Sequence, residues 1–127
     1  MYRRILVGSD GSATAHKAVD RAAAVAAATG AEITILTVGS PERAGAVVAA
    51  ERDRVVKEHP EVADQVRTKI DSGDPSHVIL DEAEAGGYDL LVVGNKGMTG
   101  ASRFFLGSVP NKISHHAPCA LLIVRTT

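Results

Sequence analysis

Apolar residues in this chain come in short solid runs, separated by longer stretches in which they recur every three or four positions. The first run, Ile5-Leu6-Val7, lies within Arg4 to Ser9, ends at Gly8 and is followed by Asp10-Gly11-Ser12, which predicts a buried strand closed by turn residues. From Ser12 to Thr29, Ala15, Ala18, Val19, Ala22, Val25 and Ala26 share one helical face while His16, Lys17, Asp20 and Arg21 take the other, and Gly30 supplies a stop. Ala31 to Val38 reads as a second strand with Ile33, Ile35 and Leu36 inside. Pro41 then opens a helix near Glu42 to His59 that Pro60 ends. Val66 to Ile70 is a short strand with a weak pattern. Asp74 and Pro75 are an N-cap and a first helical residue for a helix running to Ala85, stopped by Gly86-Gly87. Asp89 to Val93 is a strongly apolar strand, followed by a glycine-rich loop from Gly94 to Gly107. A helix from about Val109 to Ala117 and a strand from Ala120 to Val124 complete the chain.

Strands thus alternate with helices, and most strands are continuous apolar runs instead of strict alternations. That pattern predicts a parallel sheet covered on both faces, hence a single α/β domain with a doubly wound sheet of five strands. A length of 127 residues suits one domain with a real core. Aromatic residues make up only 3%, so Val, Ile, Leu and Ala must fill that core.

Charge and composition narrow the partners. Fourteen basic and fifteen acidic side chains give a formal net charge of -1, which removes the electrostatic case for nucleic acid. The single cysteine, Cys119, excludes an internal disulfide and fits a reducing compartment. No apolar run approaches the ~18 residues of a membrane span. The three apolar residues after Met1-Tyr2-Arg3-Arg4 are too few for a signal peptide, so a cytoplasmic location is expected.

In an open α/β sheet, ligands bind beyond the carboxyl ends of the strands, where the strand order changes direction. Two such ends carry unusual residues: Gly8-Ser9-Asp10-Gly11-Ser12 after the first strand, and Gly94-Asn95-Lys96-Gly97 after the fourth, with Gly100 and Gly107-Ser108 beyond. Glycine lets backbone N–H groups approach an anion closely. Ser108 precedes a helix whose free N–H groups and dipole attract phosphate, and Lys96 and Arg103 lie in the same loop. The loop is long for a strand-to-helix connection, which favours a phosphate-type anion site over a plain surface link. The sequence lacks G-x-x-x-x-G-K-[ST], G-x-G-x-x-G and G-x-S-x-G, so a P-loop, a dinucleotide fingerprint and a serine hydrolase elbow are all unsupported.

Gly94-x2-Gly97-x9-Gly107-Ser108 resembles the ATP-binding pattern of the universal stress protein family, and Ile5 to Ser12 resembles that family's first strand and turn. Ser72-Gly73-Asp74-Pro75 and His116-Ala117-Pro118-Cys119 extend the resemblance over nearly the whole chain, in the family's order. It implies a strand order of 3-2-1-4-5, which would make the two unusual strand ends neighbours. It also implies a site for ATP, or for AMP or ADP. Adenine and ribose would lie near Gly8, Ser9, Asp10 and the backbone of Val38, with ribose and phosphates along Gly94, Asn95, Lys96, Gly97, Met98 and Thr99. The terminal phosphates would then reach Gly107, Ser108 and Val109, with Asp10 as the candidate ligand for a Mg2+ carried by the nucleotide. Pro110 departs from the pattern, because it stands where ATP-binding members often have a hydroxyl or amide donor and it has no N–H. The segment from Pro41 to Pro60 is short for the family. Family members commonly dimerise through the last strand, here Ala120 to Val124.

Other residues point to bland roles. His115 and His116 are adjacent and diverge on a helix, and His16 and His77 show no ligand partner at metal-site spacing. Cys119 reads as a buried structural thiol. The charged stretch from Glu51 to Glu58 reads as a solvated helix face. Together these readings favour an ATP-binding regulatory protein without fast catalysis. Slow ATP hydrolysis, autophosphorylation near Thr99, Ser102 and Ser108, or an adenylating enzyme of related fold stays open as the alternative. A receiver-type signalling domain fits less well, because Asp10 stands alone after the first strand.

Overall fold

A computed structural model describes residues 1–95 and 108–126. The elements in chain order are β1 (Arg4–Gly8), α1 (Ala13–Thr29), β2 (Glu32–Val38), α2 (Pro41–Glu58), a 3-10 segment (Pro60–Gln65), β3 (Val66–Asp71), α3 (Pro75–Ala85), β4 (Leu90–Gly94), α4 (Ser108–His116) and β5 (Ala120–Val124). The five strands form one parallel sheet in the order β3-β2-β1-β4-β5, as the resemblance implied. Expected and observed element ends differ by about one residue. The exception is the 3-10 segment, absent from the sequence reading, whose Val62 is fully buried.

The solid apolar runs build two cores because successive strand residues face opposite ways. Ile5, Val7, Ile33, Ile35 and Val92 face α1 and α2, where Ala18, Ala22, Ala23 and Ala26 let α1 lie close to the sheet. Leu6, Leu36, Leu91 and Val93 face the other side, against Val78 and Ile79 of α3 and Val109 and Ile113 of α4. Local signals set the helix ends. Ser12 caps α1 by accepting from the Ala15 N–H at 3.2 Å, and Gly30 closes it at φ 76°. Asp74 caps α3 through the His77 N–H, with Pro75 in the first turn.

The weak pattern of β3 has a physical cause. It is an edge strand with Val66 buried and the rest exposed, and Arg67, Lys69 and Asp71 charge that edge. The opposite edge, β5, carries no charge at all, and Leu121, Leu122 and Ile123 stay partly exposed.

Candidate functional site

The chain leaves β1 toward β2 on one side, while β4 pairs with β1 on the other, so the strand order reverses between β1 and β4. A cleft opens there at the carboxyl ends of the strands. Gly8, Ser9 and Asp10 form one lip, and Val93 and Gly94 the other. Val109 and Pro110 of α4 and Ile79 of α3 line it as well. The two unusual strand ends picked out from the sequence are therefore neighbours.

Individual residues stand as follows. Gly8, Ser9, Asp10, Gly94 and Val109 line the cleft. Asp10 is exposed, and its Oδ1 accepts from the Ser12 N–H at 3.0 Å, so the carboxylate is steered by its own turn. Ser108 opens α4 and is exposed. Val38 ends β2 half-buried, packed against the α3–α4 core, and is not among the cleft-lining residues. Asn95 has a structural duty, since its Oδ1 accepts from both the N–H and the hydroxyl of Thr126, at 2.8 and 2.9 Å. Lys96, Gly97, Met98, Thr99 and Gly107, together with Ser102 and Arg103, lie outside the described residues.

Three features of the site escaped the sequence reading. Thr126 is buried, lines the cleft, and accepts from Lys17 Nζ through its carbonyl at 3.1 Å, and the residues after β5 continue alongside the end of β4. A Cβ at Gly94 would lie 3.3 Å from Thr126 Cγ2, a tight fit that favours glycine there. Gly11 has φ +81°, and a Cβ on it would sit 2.9 Å from Val47 Cγ1, so α2 packs directly on the turn that carries Asp10.

The third feature overturns an expectation. Glu51 is not on a solvated face: its side chain is fully buried behind β1. Its Oε2 accepts the Ser9 hydroxyl at 2.9 Å, and Arg54 donates Nε and Nη2 to its Oε1 at 2.9 and 2.7 Å. His16 Nδ1 lies 2.9 Å from Oε2. His16 thus has a carboxylate partner after all, supplied by a helix distant in sequence. His77 likewise pairs with Asp81 one turn along α3, 3.2 Å away on the exposed face. Ala44, Val48, Glu51 and Val55 are the buried residues of α2, spaced four, three and four apart. The core-facing stripe therefore passes through Glu51, and that spacing was the signal within the charged run.

Arg54 also donates Nη1 to Asp20 and Glu58 at 2.9 and 2.7 Å, and His59 Nε2 lies 3.0 Å from Asp20. Asp20, Glu58 and His59 bring ligand-type atoms within 4.8 Å of one another, but the guanidinium already bridges the two carboxylates. Cys119 is half-buried, not fully buried as expected, and burial, then the charge of Asp89, pushes its thiol above the ordinary value. That keeps it protonated and unreactive at neutral pH.

Sheet order, strand-end glycines and a helix N-terminus at the crossover define a doubly wound α/β protein with a cleft at the switch point. The profile of the universal stress protein family matches residues 1–125. The universal stress protein YxiE of Bacillus subtilis is 34% identical over 148 aligned residues, covering 98% of this chain and all of the relative. A universal stress protein solved in complex with cAMP superposes with a TM-score of 0.84 at 33% identity, covering 99% of this chain and 98% of the other. UspA from Lactobacillus plantarum gives 0.78 at 30% identity, with 98% of each chain covered. The chain belongs to the universal stress protein family. Among the described residues no helix is long and apolar enough to cross a membrane.

Proposed function

We propose that this protein binds an adenine nucleotide, ATP, AMP or ADP, in the cleft between β1 and β4, and works as a nucleotide-dependent regulator. The observation that carries this reading is the cleft itself. Gly8 and Gly94 allow close backbone approach, the N-terminus of α4 supplies N–H groups and a favourable dipole, and Ile79, Val93 and Val109 give the cleft an apolar floor. That one relative was solved with cAMP, itself an adenine nucleotide, supports the same choice. Asp10, exposed at the mouth, is suited to a ribose hydroxyl or to a Mg2+ carried by the phosphates. Gly97, Thr99, Gly107 and Ser108 complete the phosphate side on the motif alone. Pro110 removes one donor from the first turn of α4 and weakens the hold on a terminal phosphate.

Among the described residues Asp10 is the one titratable group lining the cleft, which favours binding over fast phosphoryl transfer. The working form we propose is a cytoplasmic homodimer joined along β5. Calorimetric titration with ATP, ADP, AMP, cAMP and GTP tests the central claim. Adenine nucleotides should bind, GTP should bind far more weakly, and Ser108→Ala should weaken ATP by about 1–3 kcal/mol for a lost charge-assisted bond. Equal affinity for GTP, or ATP binding untouched by both Ser108→Ala and Asp10→Ala, would place the ligand elsewhere.

A further inference from the structure

We propose that Glu51 is a positioning residue for the nucleotide cleft: through the Ser9 hydroxyl, its buried carboxylate fixes the turn that presents Asp10. The proposal rests on the nucleotide reading above. Ser9 is fully buried at the end of β1, and its N–H bonds the Leu36 carbonyl at 3.0 Å, so its backbone belongs to the sheet. Its hydroxyl has a single proton, which goes to Glu51 Oε2. With the proton committed there, a lone pair faces the Gly11 N–H, which donates to it at 3.1 Å. Gly11 stands at φ +81° and Asp10 Oδ1 holds the Ser12 N–H, so the turn from Ser9 to Ser12 is tied at both ends.

Glu51 reaches this turn from α2, and Val47, one helical turn earlier, packs on Gly11 from the same helix. A fully buried carboxylate is costly unless its oxygens are matched, and here Arg54, His16 and Ser9 match them. Arg54 could anchor α2 to α1 through Asp20 alone, and stability alone does not call for a charge directed at Ser9. The carboxylate is directed at the one hydroxyl that sets the Asp10 turn.

The test compares Glu51→Ala, Glu51→Gln and Asp20→Asn for ATP affinity, thermal stability and amide exchange at Gly11 in the nucleotide-free protein. Glu51→Ala should weaken ATP about tenfold or more and speed Gly11 exchange. Glu51→Gln keeps a carbonyl for the Ser9 hydroxyl, so it should hold ATP within about threefold of wild type while its melting temperature falls with the lost Arg54 pairing. Asp20→Asn loosens the outer part of the cluster and should lower stability without changing affinity. In a Ser9→Ala background, Glu51→Ala should cause no further loss of ATP binding. Affinity that falls in step with melting temperature across all three variants would make Glu51 a stabilising residue only and overturn the proposal. Unchanged Gly11 exchange in Glu51→Ala would also overturn it. That readout needs no ligand, so a wild type that binds no ATP would sink the nucleotide reading while Gly11 exchange still decides the link from Glu51 to the turn.

Discussion

Replacing Gly11 with alanine puts two separate costs on one atom. Gly11 sits at φ +81°, in the left-handed region where an L-residue loses roughly 1–2 kcal/mol. The added Cβ would also lie 2.9 Å from Val47 Cγ1, closer than real Cβ contacts come. Val47 is a short, stiff side chain on a helix, so relief requires an off-rotamer χ1 or a small shift of α2, about 0.5–1.5 kcal/mol. The sum is a destabilisation of about 1.5–3.5 kcal/mol, or a melting temperature lowered by about 6–13 °C for a chain of this size. Urea denaturation with a fixed slope measures the free energy directly. The two costs separate in a double-mutant cycle. Val47 is only partly buried, so Val47→Ala alone should be mild, and combined with Gly11→Ala it should recover the steric share and leave the backbone share. A neutral Gly11→Ala, or a double variant no better than the sum of the singles, would mean that α2 does not press on the Asp10 turn as described.

Other outcomes follow from the same geometry. Sedimentation at micromolar concentration should show a dimer, because β5 is an uncharged edge with Leu121, Leu122 and Ile123 partly exposed, whereas β3 is guarded by Arg67, Lys69 and Asp71. Ile123→Pro, which removes a ladder donor, should give monomer or aggregate, and a wild-type monomer at every concentration would refute the edge argument. A radiolabelled ATP time course should show turnover far below the ~1–10³ s⁻¹ usual for enzymes, and sustained turnover above about 1 s⁻¹ that is lost in Asp10→Ala would favour the enzymatic alternative. The Ser76 hydroxyl and then the His77 N–H hold the Asp74 carboxyl below its ordinary 3.8, so its contribution is present above that pH and fades as pH falls through the lower folded value. Asp74→Ala should therefore be less stable than wild type at neutral pH, with the gap closing below about pH 3.8; a gap independent of pH would contradict the capping role.

The sheet was legible because its three inner strands, β1, β2 and β4, are buried on both faces, so each left a solid apolar mark whatever its neighbours were. Strand order was not written in that mark: it came from the resemblance, and the pairing of β1 with β4 agrees with it. The weak third strand shows the limit of burial as a guide, since β3 has one buried residue and is held by its ladder to β2. The site divides in the same way. Glycines and Asp10 at strand ends could be read because their use is local, a turn or a close approach. Asn95 and Thr126 could not, because they bond across 31 residues.

Glu51 is the instructive failure. Six of the eight residues from Glu51 to Glu58 are charged, and that local composition hid the position of one carboxylate on the stripe through Ala44, Val48 and Val55. An apolar residue at that point would pack, but it could not take a proton from a buried serine. A buried Ser9 at the end of an apolar strand requires an acceptor, and the strand itself has none to give, because its own carbonyls belong to the sheet. The missing acceptor must come from whichever helix crosses that strand end, at a core-facing position. In α2 the core-facing polar residue is Glu51. The pairing of a buried hydroxyl at a ligand-facing strand end with a polar break in a helix's apolar stripe is therefore a signal that spans both elements, and it appears only when the two patterns are read against each other.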